Sequence, residues 1–392
     1  YSLRSLTGGD PKVVRVRRDT DNAEKDFTAS EVSASALTSF TNADYVKYTS
    51  DFSAGTNSWG DSLDDLTAAG NIDGIGGLDD NLRLTIGSAT SQHRSFRTSA
   101  FPVSQKINFS VRVFIPSSNS VVDSFRIEDA SGTQIIASTT PAQDQWVTVT
   151  ASNVTPTNSS GQLRLFLQDG GVSNFAGNGS DVLYLREVVV TQVTSDGFVE
   201  TWYDQSGNSK DAVQATAASQ PKIVNAGALV ANGLDFDGSD DELNMPTDLI
   251  ASINSASAFL VAKSDTVSGT RFPLALSRNS PDFRFYVGGL LSSKFYFGYQ
   301  DSSTKIELGS ADTNKHLFTS IAGSSNAEGF LDGTSKGTVS SADGKSALSS
   351  GGIGAINIGN FWDGTIQEIV VYNTDQTDNR GAIEANIGEA YS

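Results

Sequence analysis

The sequence predicts an all-β protein made of two antiparallel β-sandwiches. Three observations carry that reading. Short apolar runs alternating with period two recur along most of the 392 residues, the spacing of strands that bury one face. Between them lie Gly, Ser, Thr, Asn and Asp, the residues tight turns require, and Gly alone numbers 37. The length exceeds one typical domain, so the strands must be shared between more than one core. Apolar residues make up 38%, with 21 Phe, enough for packed cores and too many for general disorder.

Taken in order, Val13–Arg17 alternates as a strand and D-T-D-N-A-E-K-D-F (19–27) reads as a polar loop. Residues 30–40 read as a helix capped by Ser30, with Val32, Ala36, Leu37 and Phe40 on one face. The pattern then changes. From about Ala43 to Val193 strand-like runs follow one another at 81–87, 107–116, 124–129, 145–150, 163–169 and 181–191. Turn residues separate them, as in a sandwich or jelly roll. Beyond this stretch, 234–243 reads as strand, turn and strand, 283–289 and 294–300 as an aromatic hairpin, and 329–337 and 356–373 as further strands. A helix-like segment closes the chain at 377–391.

Composition excludes several chemistries. There is no cysteine, so disulfides, thiolate metal sites and a Cys nucleophile are impossible. Lack of disulfides in an extracellular chain of this size points to a prokaryotic or viral origin. The two histidines, His93 and His316, are far apart, a poor basis for zinc or for a Ser-His-Asp triad. A net charge of −18 and a pI near 4.4 repel phosphate backbones, so nucleic acid is not an expected partner. The basic run at Lys12, Arg15, Arg17 and Arg18 reads as the solvated face of a strand. No apolar stretch approaches the length needed to span a bilayer, so membrane insertion is not expected. The chain opens on Tyr1 and holds one methionine, Met245, so it reads as a processed product or a segment of something longer.

Several motifs carry resemblances. F-S-A-G-T-N-S-W (52–59) followed by L-R-L, the I-E-D-A-S-G-T-Q turn before W-V-T-V-T, and D-V-L-Y-L-R-E-V-V-V (181–190) together resemble the galactose-binding-like jelly rolls of carbohydrate-binding modules. Y-S-L-R (1–4), residues 14–27, A-L-T-S-F (36–40) and D-G-F-V-E-T-W-Y-D-Q-S-G-N-S-K-D-A (196–212) resemble a module of phage tail and fibre proteins. That module is related to the catalytic domain of arabinofuranosidase B. L-D-G-x-x-x-G, then I-G, then F-W-D-G-T-I-Q-E-I-V-V-Y-N (361–373) resemble the laminin-G and concanavalin-A-like lectin sandwiches. The domain organisation follows: residues 1–41 and 196–392 form one lectin-like sandwich, and 42–195 are a jelly roll inserted into it, allowed where entry and exit lie close together.

Candidate site residues come from three patterns. In W-Y-D-Q-S-G-N the Ser lacks both a base and the G-x-S-x-G frame. Tyr203, Asp204, Ser206, Gly207 and Asn208 are therefore expected to form a structural turn tethered by the Asp204 carboxylate. The acidic cluster Asp235, Asp237, Asp240 and Asp241, with Glu242 beside them, offers oxygen ligands for a structural Ca²⁺, as does Asp79 with Asp80. Sugar rings pack on exposed aromatics, and the pool is Trp59, Phe101, Trp146, Tyr184, Phe295, Tyr296, Tyr299 and Trp362. Trp59, set among Asn57, Ser58 and Asp61, is the preferred ligand contact, with Tyr299 and Trp362; Trp146, in an alternating strand, is expected in the core.

No carboxylate pair matches the arabinofuranosidase catalytic residues, so no catalytic residue is carried over. The reading is of a virion-surface or extracellular adhesion protein that binds cell-surface glycans. Other virion proteins and further copies of itself are its expected partners. A glycoside hydrolase or its inactive remnant, and a purely architectural decoration subunit, are the alternatives.

Overall fold

A computed structural model describes residues 1–42, 45–59, 62–97, 105–157, 160–193, 195–231, 233–246, 249, 255–276, 285–299, 304–323, 325–340, 351–355 and 360–391. The chain divides into two compact units, Tyr1–Thr41 with Asp196–Ser392, and Asn42–Ser195. Each has its own core and antiparallel sheets. The protein is all-β, with short helices only at 29–41, 217–219 and 380–391 among the described residues, none long and apolar enough to cross a membrane.

In the first unit, Lys12–Arg18 lies between Glu24–Thr28 and Gly197–Trp202. Ser257–Ser264 lies between Lys315–Ala322 and Asp363–Tyr372. The first strand buries Val13, Val14 and Val16 completely, and its cations face acids of its neighbours. Lys12 pairs with Asp26 at 2.7 Å and Arg15 with Glu24 at 3.3 Å. That pairing makes Glu24–Thr28 a strand, where the polar composition predicts a loop. Opposite charges across a ladder stabilise it much as apolar alternation does, and Phe27 supplies the buried anchor.

The expected helix at 30–40 is two short ones, Ala29–Ser33 and Ala36–Thr41. Ser35 between them has φ 68°, a left-handed conformation that ends the first helix. The cap is Thr28 rather than Ser30. Its hydroxyl accepts from the Glu31 N–H at 3.3 Å and Glu31 Oε2 accepts from the Thr28 N–H at 3.0 Å, a reciprocal capping box.

The aromatic hairpin forms from Tyr286–Leu291 and Lys294–Gly298. Ser292 and Ser293, both at positive φ, make the two-residue turn that suits strand twist. Phe295, Phe297 and Tyr299 enter the same buried cluster as Trp202 and Trp362.

In Asn42–Ser195 two sheets enclose a second core. One sheet orders its strands 134–139, 124–129, 163–168, 94–97 and 62–64; the other runs 147–154, 107–114, 182–192, 81–86 and 66–72, with 45–50 added beside 182–192. Phe125 and Leu165 from the first meet Val111 and Leu183 from the second, which defines a sandwich. Part of the acidic surplus holds its loops. Buried Asp129 accepts from the N–H groups of Ser131, Thr133 and Thr157 at 2.8–2.9 Å. Asp181 accepts from those of Ser120, Val121 and Val122 at 2.6–3.0 Å. Each satisfies backbone donors that loop geometry would otherwise strand.

Candidate functional site

The three aromatics expected to contact ligand are core residues. Trp59, Tyr299 and Trp362 have no exposed surface, and a ring without exposed surface cannot stack on a sugar. Trp59 reaches the core from its polar loop because its indole N–H is satisfied there. Nε1 donates to the Tyr48 hydroxyl at 2.9 Å, and Ser95 Oγ donates to the Trp59 carbonyl. Trp146 shows the reverse. It precedes the strand Val147–Val154, stays half-buried, and its Nε1 donates to the Ile75 carbonyl at 2.9 Å. Phe295 is buried, Tyr184 and Tyr296 are half-buried, and Phe101 lies outside the described residues.

The W-Y-D-Q-S-G-N segment follows directly on the strand Gly197–Trp202. Asp204 Oδ1 accepts from the Ser206 N–H at 2.8 Å, and Oδ2 accepts from Ser206 Oγ at 2.8 Å and the Lys210 N–H at 3.0 Å. Ser206 Oγ in turn accepts from Asn208 Nδ2 at 2.8 Å. Gly207 sits at φ 82°, where a side chain would be strained. Burial opposes ionisation of Asp204, but the hydrogen bonds from Ser206 and Lys210 outweigh it and hold the carboxyl below its ordinary range. Tyr203 donates its hydroxyl to Asp26 Oδ1 at 2.8 Å, tying the turn's root to the neighbouring strand.

This turn forms one wall of a cleft of about 710 Å³. Asp204, Gln205, Ser206, Asn208 and Lys210 line that wall, and the stretch Ile369–Asn373 lines the other. Gln205 is itself fixed: its amide donates to the carbonyls of Ser2 and Arg4, and its Oε1 accepts from the Leu6 N–H at 2.8 Å. The opposing wall offers Tyr372 and Asn373, which the sequence does not single out. The cleft thus sets amide, hydroxyl and ammonium groups beside apolar Leu6, Leu249 and Val370, a mixture that small-molecule sites use. Among the described residues its lining contains one carboxylate, Asp204, already engaged in the turn.

No family model and no curated protein sequence matches the chain. Several solved structures are similar to it. The N-terminal CBM22-1-CBM22-2 tandem domain of Paenibacillus barcinonensis Xyn10C is 11% identical, over 85% of this chain and 99% of that one, with a TM-score of 0.34. Trypanosoma rangeli sialidase is 13% identical, over 80% of this chain and 51% of that one, with a TM-score of 0.36. Domains LG4-5 of the mouse laminin alpha1 chain are 9% identical, over 75% and 89%, with a TM-score of 0.32. Likeness at this level assigns no activity and no family.

Of the four predicted metal ligands, three come together. Carboxylate oxygens of Asp237, Asp240 and Asp241 lie within 4.8 Å of one another, on the turn between Leu234–Asp237 and Leu243–Met245. Asp235 lies outside that cluster, and burial first, then the charge of Asp265, raises its pKa. Burial, aided by the charges of Asp237 and Asp240, pushes Asp241 up to about 7. The donor set is hard oxygen, which fits Ca²⁺. Asp241 Oδ2 and Asp237 Oδ1 also accept backbone N–H groups, from Asp237 at 3.0 Å and Ser239 at 2.8 Å.

One further arrangement was not read from the sequence. On the five-stranded sheet of the inserted unit, Leu163, Leu165 and Leu167 enter the core, while Arg164 and Phe166 belong to the opposite face. Phe166 is nevertheless only 1% exposed. The Arg126 and Arg94 guanidiniums cover it, 4.4 and 5.8 Å from the ring centroid. Phe96 lies under Arg94 and Arg164 at 4.9 and 5.7 Å. The signal in the sequence is Arg at alternating strand positions, in R-S-F-R, F-R-I-E-D and L-R-L-F-L.

Proposed function

We propose that this chain is a non-enzymatic glycan-binding protein. The observation that carries the reading is the cleft beside the 204–210 turn, lined by Asn208, Lys210, Tyr372 and Asn373 together with apolar Leu6, Leu249 and Val370. Sugars need this mixture: hydroxyls take hydrogen bonds from amides and ammonium, and ring faces pack on apolar surface. Binding is favoured over hydrolysis because retaining and inverting glycosidases both need two carboxylates flanking one bond, and the carboxylate of this lining is spent on holding its turn.

The finer reading is an adhesion protein on a virion surface, assembled with other virion proteins and further copies of itself. The resemblance of residues 1–4, 14–27, 36–40 and 196–212 to phage tail and fibre modules supports it. A structural Ca²⁺ held by Asp237, Asp240 and Asp241 belongs to the same proposal and would neutralise three crowded carboxylates.

The test is a glycan array probed with the full chain, with and without calcium. Binding to at least one neutral oligosaccharide, lost in Asn208→Ala/Asn373→Ala, is expected. No retention of any glycan would overturn the reading, and release of free sugar would overturn its non-enzymatic part. Antibody labelling of purified virions tests the location.

A further inference from the structure

We infer that the outer face of the five-stranded sheet in Asn42–Ser195 binds a carboxylated polysaccharide, a polymer of uronic acid, through Arg94, Arg126 and Arg164 set among Phe96 and Phe166. The inference rests on the glycan-binding reading and adds a second site with a different ligand chemistry.

Register fixes the arrangement. Phe166 lies beside Arg94 on one neighbouring strand and Arg126 on the other; Arg164 lies beside Phe96 and Glu128. Arginine and phenylalanine therefore alternate along the strands 94–97 and 163–168, and Glu128 stands in the corresponding place on the third. Adjacent strands are about 4.8 Å apart, and same-face residues on one strand about 7 Å apart, so the three guanidiniums fall within a patch the size of a few sugar rings.

Charge on this face runs against the rest of the molecule. The whole chain carries −18. Within residues 42–195 all seven arginines lie on strands, whereas of the thirteen acidic residues described there nine lie off strands and four on them. Among the described residues of the face, three arginines meet two carboxylates: Asp64, paired with Arg94, and Glu128, 3.4 Å from Arg126. Positive charge is left over on the sheet while the loops are acidic.

The guanidiniums also keep donor capacity. Each has five N–H groups in a planar fork. Arg94 spends Nε on Asp64, and Arg164 spends Nε on Gln162 at 2.9 Å. Arg126 Nε is buried with no hydrogen-bond partner. Stacking on a ring uses the face of a guanidinium and leaves its edge, which matches a planar carboxylate with two parallel hydrogen bonds. The side chains of Arg94 and Arg126 remain 28% and 25% exposed, enough for an incoming carboxylate to reach them. Half-buried Phe96 supplies apolar surface for the sugar itself, while Phe166, buried beneath the arginines, mounts their guanidiniums. Uncapped aromatics would suit a neutral sugar; rings capped by arginine suit a sugar that carries an acid.

Affinity electrophoresis of the full chain tests this against polygalacturonate, dextran sulfate and a neutral xylan, at about 0.1 M salt, where the distant negative charge is screened. Polygalacturonate should retard the chain. Arg126→Gln/Arg164→Gln should weaken that retardation about tenfold or more, since charge-assisted bonds are lost. Arg126→Lys/Arg164→Lys, which keeps the charge but not the fork, should fall between. Arg83→Gln/Arg112→Gln on the other sheet and Asn208→Ala/Asn373→Ala at the cleft should leave it unchanged. Single Arg164→Gln serves if the double variant does not fold, because Phe166 keeps its Arg94 and Arg126 covers. Undiminished binding by the folded Gln variants would overturn the inference, as would dextran sulfate binding as tightly as polygalacturonate. Binding of xylan but not polygalacturonate, or of neither, would overturn it while leaving the proposed function to the glycan array.

Discussion

Trp59→Phe separates a core role from a ligand role for the residue that the sequence favours most as a sugar contact. The indole is fully buried and its N–H donates to the Tyr48 hydroxyl at 2.9 Å. Phe keeps most of the ring and loses that donor, so the cost is one hydrogen bond, about 1 kcal/mol, plus a small cavity charged at about 24 cal/mol per Å³. Together they give about 1–2 kcal/mol. Trp59→Ala empties the site and should cost about 3–5 kcal/mol. Tyr48→Phe removes the acceptor instead and leaves a buried N–H without a partner, for about 1–3 kcal/mol. The double variant should then cost less than the sum of the two, with a coupling of about 1 kcal/mol. Urea unfolding followed by circular dichroism reads these values. The two units have separate cores, so any transition assigned to residues 42–195 should move alone. Glycan retention by the folded Trp59→Phe protein should match the parent. A variant that keeps its unfolding midpoint and loses glycan binding would refute the burial argument.

Other outcomes follow from local geometry. Gly298→Ala places a Cβ against the Tyr286 ring and should destabilise by about 1–3 kcal/mol through overpacking, read as a lower urea midpoint; an unchanged midpoint would mean the ring moves freely. His316 is held between Asp332 at 2.7 Å and Asp312 at 2.9 Å; burial opposes its charge, but these hydrogen bonds outweigh it and raise the pKa. A raised histidine stabilises fully below its unfolded value near 6.5 and loses that contribution as pH climbs through the folded value. Midpoints measured across this window should fall with pH in the parent and flatten in His316→Gln, and equal slopes would contradict the pairing. Calcium at about ten times its dissociation constant should add about 1.4 kcal/mol of stability, lost in Asp237→Asn/Asp240→Asn; a midpoint indifferent to calcium would remove the ion from the proposal.

The strands were legible wherever one face is apolar. I-N-F-S-V-R-V-F alternates in sequence and in burial over Ile107–Phe114, because a half-buried strand forces period two on its residues. Glu24–Thr28 was not legible. Its stability comes from Lys12 and Arg15 on a different strand, and complementarity across a ladder is invisible until the partners are known. The Asp204 turn reads directly from W-Y-D-Q-S-G-N because its bonds span only two to six residues. The cleft that it walls does not, since Tyr372 and Asn373 arrive from the far end of the chain.

Aromatic exposure failed in both directions. Trp59 and Trp146 settle where the indole N–H finds a partner, not where their sequence neighbours are apolar, whereas Trp362 is buried with its N–H unpartnered. Trp59 found Tyr48 inside the core; Trp146 found the Ile75 carbonyl and stayed half-buried. Once outside, rings on the inserted unit are flanked by arginine rather than left bare. Arg112 and Arg186 lie 5.9 and 5.8 Å from Trp146, as Arg94 and Arg126 do around Phe166. Each arginine shields apolar surface that would otherwise invite association. The same contact holds the guanidinium in place, so less conformational entropy is lost when an anion binds. Surface aromatics in this unit therefore serve as mounts for cations before they serve as platforms for sugars. That ordering predicts that Phe166→Leu, which removes the mount but leaves all three charges, weakens polygalacturonate retention while the retention of neutral glycan stays at the parent's level. Equal retention of polygalacturonate by this variant would show that the charges act without their mounts.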